Sequence, residues 1–296
     1  MTSRPIERRI FVVGVPRSGT TLVQSLLATH STLTSFTESH FFAKHFTILS
    51  PLPGPILTRN PAPRLWQFLA ENGEEPPDAA AWFEAPRRSP LGARPLLPFQ
   101  TMSTARRLLC VLDELALRRG SSGWIEKTPM HLRYVAFLEK AAGREPRTYF
   151  VHVIRDGLEV VSSLHEASKS WERPYDLDAC VRRWNQDVGF SVSRTVAPND
   201  QFVFYEELTS SPEATMRRVI EKLDLAWEPE ILASYADTAD RLVTAEEECK
   251  SDVGRQIRRS ATSHRALTPE QRQRVTRSLR RDLYDTLRER VGGLSR

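Results

Sequence analysis

A turn that carries glycines, hydroxyl groups and an arginine follows an apolar run at residues 10–13 of this 296-residue chain. The turn reads GVPRSGTT from Gly14 to Thr21, and residues 22–27 after it suit a helix. A strand, a tight turn and a helix in this order direct backbone N–H groups and the positive end of the helix at one point, where a phosphate can bind. The residues predicted to bind it are Arg17, Ser18, Gly19, Thr20 and Thr21.

The spacing of the two glycines matches the phosphate-binding GxxxxG loop of nucleotide hydrolases and kinases. Those enzymes continue with Lys and then Ser or Thr, which bind the β- and γ-phosphates and Mg²⁺. This chain continues instead with Thr20 and Thr21, and its cation, Arg17, lies inside the loop. The pattern therefore favours a nucleotide with a shorter 5′ anionic chain over a triphosphate. A tight turn without a ligand is the alternative interpretation.

A second anion-binding pattern follows the run of β-branched and aromatic residues at 148–154, which is typical of a buried strand. Arg155 comes directly after this run, so it should lie at the carboxyl edge of the sheet, where open α/β sheets bind ligands. Ser163 falls on the second turn of the next predicted helix. Because an arginine fork and a serine hydroxyl suit phosphate oxygens, both side chains are expected to hold one phosphate. A surface ion pair between Arg155 and Asp156 is the alternative.

Five motifs in order resemble those of the sulfotransferases that use 3′-phosphoadenosine 5′-phosphosulfate (PAPS), in the bacterial and tyrosylprotein-sulfotransferase-like branch. Residues 16–22 resemble the 5′-phosphosulfate loop, and Arg155 with Ser163 resembles the 3′-phosphate site. The other three motifs are ESHFF at residues 38–42, EKTP at residues 126–129 and VFYEEL at residues 203–208, which Pro212 follows. The resemblance covers residues 10 to about 225.

This resemblance implies an α/β fold, with a P-loop-type parallel sheet that helices flank on both faces in a three-layer sandwich. It implies transfer of a sulfuryl group from PAPS to a hydroxyl of a small-molecule, carbohydrate or lipid acceptor, with 3′-phosphoadenosine 5′-phosphate (PAP) as the product and no metal. Arg17 and the loop amides would hold the 5′ phosphate, and Arg155 and Ser163 the 3′ phosphate. Tyr205 would stack on or hydrogen-bond the adenosine. A P-loop kinase, which Thr20 argues against, and a non-catalytic nucleotide-binding relative are the alternatives.

Two further residues are predicted to carry the chemistry. Glu38 corresponds to the family's catalytic glutamate and is the predicted general base, in a segment that follows the strand predicted at residues 33–36. His40 is the alternative base, because an ordinary imidazole pKa suits that role and residues 38 and 40 share a face of an extended segment. Lys127 ends a predicted strand and is expected to donate to the sulfuryl or bridging oxygen. A surface pair of Lys127 with Glu126 is the alternative.

The elements that must position these residues alternate along the chain. Strands are predicted at residues 10–13, 33–36, 123–126, 148–154 and 201–204, and helices at residues 21–29, 102–119, 130–142, 158–168, 178–196 and 213–223. The alternation indicates a parallel sheet covered on both faces, within a single domain spanning residues 1–296. A last amphipathic helix is predicted at residues 269–291. The histidines at 131, 152 and 165 are interpreted as structural.

Two segments depart from this alternation. A proline-rich insertion at about residues 50–100 carries several aromatic residues and is expected either to form part of the acceptor pocket or to pack on the core. Short helices are predicted within it at residues 64–72 and 78–84. The basic segment at about residues 241–296 is expected to comprise a lid and the C-terminal helix; the stretch from Lys250 to Arg265 resembles a lid over the nucleotide, and a solvated basic loop is the alternative.

Composition bounds the remaining possibilities. The net charge of +5 suits an anionic ligand, but acidic residues interrupt the basic C-terminal run and few aromatic residues are interleaved with it, so nucleic acid is not an expected partner. Three cysteines without a CxxC pair fit a reducing compartment. The N-terminal residues are too polar for a signal peptide, and no apolar run is long enough to span a membrane. These features predict a cytoplasmic protein.

Overall fold

The computed structural model describes residues 5–49, 54–84, 88–89, 92–95, 100–242, 257 and 267–294. The strands are β1 (Arg8–Gly14), β2 (Leu33–Ser35), β3 (Phe46–Ile48), β4 (Pro55–Leu57), β5 (Arg88–Ser89), β6 (Gly92–Pro95), β7 (Gly123–Lys127), β8 (Arg147–Ile154) and β9 (Asp200–Phe204). The helices are α1 (Thr20–Leu27), α2 (Phe41–His45), α3 (Ala62–Glu71), α4 (Thr101–Arg118), α5 (Val135–Ala142), α6 (Gly157–Ser168), α7 (Leu177–Ser193), α8 (Tyr205–Ser210), α9 (Pro212–Lys222), α10 (Glu230–Ala233), α11 (Tyr235–Leu242), α12 (Pro269–Ser278) and α13 (Arg281–Leu294). The 3-10 helices Asp78–Phe83 and Pro129–Tyr134 precede α4 and α5, respectively.

Five strands form one parallel sheet in the order β2-β7-β1-β8-β9, and these are the five strands that the sequence predicts. The most central strand, β1, is flanked by β7 and β8. Two small antiparallel pairs, β3 with β4 and β5 with β6, lie outside this sheet and belong to the segment around the proline-rich insertion. The α/β fold with a parallel sheet is confirmed.

Alternate residues of β1 enter opposite faces of the sheet, as expected for a central strand. Phe11 and Val13 belong to the core that α4 and α5 cover, where the Phe11 ring stacks 5.5 Å from that of Phe150. Ile10 and Val12 belong to the core that α1 and α9 cover. A third core, built by α6, α7, α12 and α13, packs on the β8–β9 side of the sheet. Helices therefore flank both faces, as predicted.

The strand register brings four chain segments to the same edge of the sheet. Val12 of β1 is paired with Lys127 and with Val151, Gly14 with Val153, and Ile154 with Phe204. The phosphate loop, Lys127, Arg155 and the start of α8 all follow directly from these strand ends. The carboxyl edge is where ligands bind in open parallel sheets.

Two sequence expectations about helices need correction. The helix predicted at residues 269–291 is two helices, α12 and α13, because the chain turns at Leu279 to pack that side chain against Gly157. The helix predicted at residues 130–142 starts as a 3-10 turn before α5. The predicted lid, including Lys250 and Arg265, lies outside the described residues apart from Ile257.

Candidate active site

The loop between β1 and α1 has the backbone of a phosphate cradle. Gly19 has φ of 100° and Arg17 has φ of 74°, both in the left-handed region, where only glycine is at ease. At Gly14, a Cβ would lie 2.5 Å from the carbonyl oxygen of Val153, so only glycine allows β1 and β8 to approach this closely. The two glycines therefore serve different purposes: Gly14 allows the close approach of two strands, and Gly19 allows a left-handed backbone.

Tyr205 lies behind this loop. A Cβ on Gly19 would lie 2.5 Å from the Tyr205 ring. The guanidinium carbon of Arg155 lies over the same ring, 4.3 Å from its centroid. Tyr205 is buried, and its ring joins the loop to Arg155 by packing and by a cation–π contact. Sequence reasoning placed Tyr205 at the adenosine; in the structure its ring contacts protein groups of the phosphate sites.

The amino end of α1 faces the loop without a cap from its N-cap residue. Gly19 occupies that position and, having no side chain, accepts no hydrogen bond from the first N–H groups of α1. The hydroxyl of Ser18 is fully buried and has no hydrogen-bond partner among the described residues. Buried hydroxyls are normally partnered, and one without a partner beside a helix start fits an anion at this point.

Arg17, Ser163 and Arg155 meet at this loop. The Nε of Arg17 donates to the Ser163 hydroxyl at 3.1 Å, and Nη1 of Arg155 lies 3.4 Å from the carbonyl oxygen of Arg17. Arg155 is held from behind by Glu159, whose Oε2 accepts from Nε at 2.9 Å and from Nη2 at 2.8 Å. The structure therefore brings together the two predicted phosphate sites. The alternative Arg155–Asp156 pair is wrong, since the partner is Glu159.

The turn that carries Arg155 is fixed on three sides. Asp156 caps α6 by accepting from the backbone N–H groups of residues 158 and 159. Its own N–H donates to Glu206 at 2.8 Å, and the other oxygen of Glu206 accepts from the Tyr284 hydroxyl. Trp184 donates its indole N–H to the carbonyl of Arg155 at 3.1 Å. These contacts hold the backbone around Arg155 in one conformation.

Glu38 and Lys127 form an ion pair at the same edge of the sheet. Nζ of Lys127 donates to Oε1 of Glu38, and the exposed side-chain fractions are 2% for Lys127 and 9% for Glu38. Lys127 is therefore neither at the surface nor paired with Glu126, and the alternative weighed for it is wrong. A carboxylate and a cation in direct contact, both shielded from water, interact more strongly than a surface pair.

His40 lies beside this pair. Its Nε2 is 3.4 Å from Oε2 of Glu38, so the side chains at 38 and 40 do share a face. Burial lowers the pKa of His40 to about 4 despite the opposing effect of the Glu38 charge, and Lys44 adds to the decrease. The ring is therefore uncharged at neutral pH and can donate one N–H to Glu38.

A buried arginine from the insertion reaches this segment, which sequence reasoning did not anticipate. Arg64, on α3, donates to the carbonyl oxygens of Glu38 and Ser39 and is itself paired with Glu71. The proline-rich insertion therefore contacts the backbone that carries the predicted base. No local signal marks this role, because Arg64 and Glu38 are 26 residues apart in the chain.

Together these groups offer two kinds of chemistry at one sheet edge: cations with loop amides for phosphates, and a carboxylate–lysine pair for group transfer. Among the described residues, no group of three or more His, Cys, Asp or Glu could hold a metal ion. The model of the sulfotransferase family matches residues 9–229, which include every predicted site residue.

The chain belongs to the sulfotransferase family. It is 25% identical to the protein-tyrosine sulfotransferase A of Caenorhabditis elegans over 231 residues, which are 75% of this chain and 51% of that protein. The chain thus spans about half the length of this relative. The sequence resemblance to the family is confirmed.

Solved structures support the same fold. The sulfotransferase domain from the curacin biosynthetic pathway is similar, with a TM-score of 0.55, 17% identity and coverage of 92% of this chain and 97% of that one. A mouse sulfotransferase complexed with PAP has a TM-score of 0.50 and 12% identity, covering 92% of this chain and 83% of that one. None of the helices within the described residues has both the length and the apolar character needed to cross a bilayer.

Proposed function

We propose that this sulfotransferase transfers the sulfuryl group of PAPS to a hydroxyl of a small-molecule, carbohydrate or lipid acceptor. The observation that carries the proposal is the meeting of Arg17, Ser163 and Arg155 within hydrogen-bond distance, next to the pair of Glu38 and Lys127. A donor with phosphates at both ends of an adenosine needs two anion sites close together. A mouse relative in fold binds PAP, the product of such a donor.

The 5′ phosphate of the donor would be held by the loop. Arg17 supplies charge, and the amides of Ser18, Gly19, Thr20 and Thr21 at the start of α1 supply donors. The buried Ser18 hydroxyl would find its missing partner in a phosphate oxygen. The guanidinium, the amides and the hydroxyl can all donate hydrogen bonds to a phosphate. For this reason the 5′ phosphate, the leaving group of the reaction, is expected at this loop.

The 3′ phosphate would be held by Arg155 and Ser163. Glu159 occupies the Nε and one Nη of Arg155, and the other Nη points to the loop, so this nitrogen and the Ser163 hydroxyl are the groups offered to a ligand. Tyr205 keeps Arg155 in place through the cation–π contact. Contact of Tyr205 with the adenosine stays a prediction.

Glu38 is proposed as the general base and Lys127 as the donor to the reacting oxygens. The acceptor hydroxyl gives its proton to Glu38 as its oxygen bonds to sulfur, and the bond from sulfur to the 5′ phosphate oxygen breaks, releasing PAP. Lys127 turns from Glu38 to the bridging or sulfuryl oxygen as negative charge develops there. His40, uncharged at neutral pH, orients Glu38 through its ring N–H.

The proposal needs no metal, because arginine, lysine and the helix terminus supply the positive charge. A P-loop kinase is disfavoured by Thr20, which stands where a kinase places its lysine. A non-catalytic relative is disfavoured because the Glu38–Lys127 pair is buried and intact. The contact of Arg64 with Glu38 supports the insertion as one wall of the acceptor site.

Incubation with PAPS carrying a labelled sulfuryl group, in EDTA, tests the function. The acceptor panel comprises phenols, sugars, lipid alcohols and tyrosine peptides. We expect label transfer to at least one hydroxyl acceptor in the first three classes, with stoichiometric PAP. PAPS binding that requires Mg²⁺, or ATP binding tighter than PAP, would contradict the proposal. Transfer only to tyrosine peptides would replace the proposed acceptor class.

A further inference from the structure

We infer that Glu126 is a positioning residue for sulfuryl transfer: it fixes the backbone at residues 38–42 and thereby places the Glu38 carboxylate against Lys127. The inference rests on the proposed function of Glu38. Nothing in the transfer chemistry itself uses Glu126, which is 1% exposed at the end of β7. A carboxylate this deeply buried is costly unless its oxygens are fully hydrogen-bonded, so its partners indicate what it does.

Four hydrogen bonds converge on this carboxylate. Oε1 accepts from the backbone N–H of Ser39 at 3.1 Å, from the Ser39 hydroxyl at 2.7 Å and from the Thr128 hydroxyl. Oε2 is 2.9 Å from Nδ1 of His131. Burial alone would raise the pKa of Glu126, but His131 and the two hydroxyls outweigh burial and lower it. Glu126 is therefore ionised, and two of its four donors come from the residue next to Glu38.

The orientation of His131 follows from its other nitrogen. The backbone N–H of Phe42 points at Nε2, 3.3 Å away, so Nε2 accepts and carries no proton. Nδ1 must then carry the proton and donate to Glu126. His131 thus connects the carboxylate to the first turn of α2, four residues after Glu38.

The same strand end and Arg64 hold the remaining backbone groups of this segment. The N–H of His40 donates to the Thr128 hydroxyl at 3.2 Å, and Arg64 donates to the carbonyls of Glu38 and Ser39. His40 has φ of 55°, an unfavourable value for a residue with a side chain, so the segment needs such contacts to keep this shape.

The end of β7 binds both the backbone at residues 39–40 and the Glu38 carboxylate, and the alternation of side chains along the strand explains why. Side chains at 126 and 128 point to one side of β7 and that of 127 to the other. Glu126 and Thr128 therefore accept hydrogen bonds from the backbone N–H groups of Ser39 and His40, while Lys127 donates to the Glu38 carboxylate. Displacing a reacting group by about 1 Å can lower the rate about 100-fold, so weakening these hydrogen bonds should slow transfer.

Substituting Glu126→Gln tests the role. The amide keeps the shape, but in either orientation its NH₂ opposes an N–H donor: the Nδ1–H of His131, which cannot change tautomer without opposing the Phe42 N–H, or the backbone N–H of Ser39. We expect kcat to fall at least about 10-fold while the Kd for PAP stays within about 2-fold, because the phosphate sites are separate. The acid limb of the kcat–pH profile should shift to higher pH, since Glu38 loses its fixed contact with Lys127.

The matched control is Asp200→Asn. Asp200 is also a buried carboxylate bonded to a histidine, His152 at 2.9 Å, and it pairs with Arg194 as well, but it lies at the amino end of β9, away from the site edge. Both substitutions should lower thermal stability, and only Glu126→Gln should change kcat and its pH profile. A Glu126→Gln protein with wild-type kcat and pH profile would overturn the inference, as would equal kcat losses in both variants.

A second variant covers the case in which Glu126→Gln does not fold. Thr128→Val removes the hydroxyl between His40 and Glu126, and we expect a kcat at least about 5-fold lower with unchanged Kd for PAP. Crystal structures of the free variants add a readout that does not depend on activity: the contact of Glu38 with Lys127 should be lost, and its retention in both would overturn the inference. If the wild-type protein failed to bind PAP, the proposed function would be overturned instead. The comparison of the Glu38–Lys127 contact in the crystal structures would still be valid.

Discussion

The carboxylate of Glu38 and the ammonium of Lys127 are in direct contact, shielded from water at the carboxyl edge of the sheet. In the proposed mechanism, this contact keeps the Glu38 carboxylate next to the place where the acceptor hydroxyl loses its proton. In that mechanism the pair also occupies Lys127 until negative charge develops on the donor oxygens during transfer. Charge development on the donor and release of Glu38 from the pair are therefore coupled through Lys127.

Replacing the base without changing its shape is the first prediction. Glu38→Gln keeps an oxygen for Lys127 but cannot take the acceptor proton, so kcat should fall about 10²- to 10⁴-fold. The Kd for PAP should stay within about 2-fold, because the substitution keeps the shape of the side chain and its contact with Lys127. Single-turnover transfer of labelled sulfuryl groups and calorimetric titration with PAP measure the two quantities.

His40 provides the comparison for this prediction. His40→Gln removes the imidazole but leaves Glu38 as an acceptor, so activity should fall less than about 10-fold. If Glu38→Gln retained most of its activity and His40→Gln lost it, the base would be His40, and the assignment of Glu38 would be wrong.

The second prediction concerns the phosphate loop. Gly19→Ala adds a Cβ at φ of 100° and within 2.5 Å of the Tyr205 ring. Backbone strain and displacement of the ring should together lower the free energy of unfolding by about 2–4 kcal/mol. The Kd for PAP should rise at least about 10-fold, since the loop amides and Arg155 both depend on Tyr205. Denaturant unfolding and calorimetry measure the effects.

Gly120→Ala separates the two causes. Gly120 also has a positive φ, 75°, but no atom lies within 4 Å of its added Cβ. This control should cost about 1 kcal/mol of backbone strain and leave PAP binding unchanged. Equal losses of stability in the two variants would show that the Tyr205 contact does not constrain the loop.

The third prediction concerns acid stability. His45 is buried, neither ring nitrogen has a hydrogen-bond partner among the described residues, and Lys44, Arg59 and Arg64 lie nearby. Burial, with these cations, lowers the pKa of His45 from 6.5 to about 4. Between those values the unfolded chain binds a proton that the folded chain does not, so the free energy of unfolding falls as the pH falls, by at most about 1.4 kcal/mol per pH unit.

His45→Phe tests this assignment. The variant removes the titrating ring, so its free energy of unfolding should depend less steeply on pH than that of the wild type between pH 6.5 and 4. Urea unfolding at several pH values gives the difference curve, in which contributions from other groups cancel. Parallel curves for the two proteins would contradict the assigned pKa.

Local sequence patterns predicted the sheet and the positions of the glycine loop and Arg155 at its edge, because each depends on neighbours in the chain. The loop after β1 needs glycines where the backbone is left-handed or crowded, and Arg155 follows directly from a buried strand. Both signals lie within a few residues. The parallel sheet then brings the strand ends together without any further information.

The contacts that hold the site could not be predicted in this way. Glu126 binds Ser39, 87 residues away, and Trp184 binds the carbonyl of Arg155. Such pairs are set by packing between distant segments. The break between α12 and α13 was missed for a similar reason: Leu279 turns inward to pack on Gly157, and neither proline nor glycine marks the position.

The last prediction concerns how much the 3′ phosphate adds to nucleotide affinity. Calorimetric titration in EDTA should show wild-type protein binding PAP at least about 10-fold more tightly than AMP, since the 3′ phosphate gains charge-assisted hydrogen bonds from Arg155 and Ser163. Arg155→Ala should remove most of this difference and leave AMP binding nearly unchanged. Equal wild-type affinities for PAP and AMP would contradict the account at its centre.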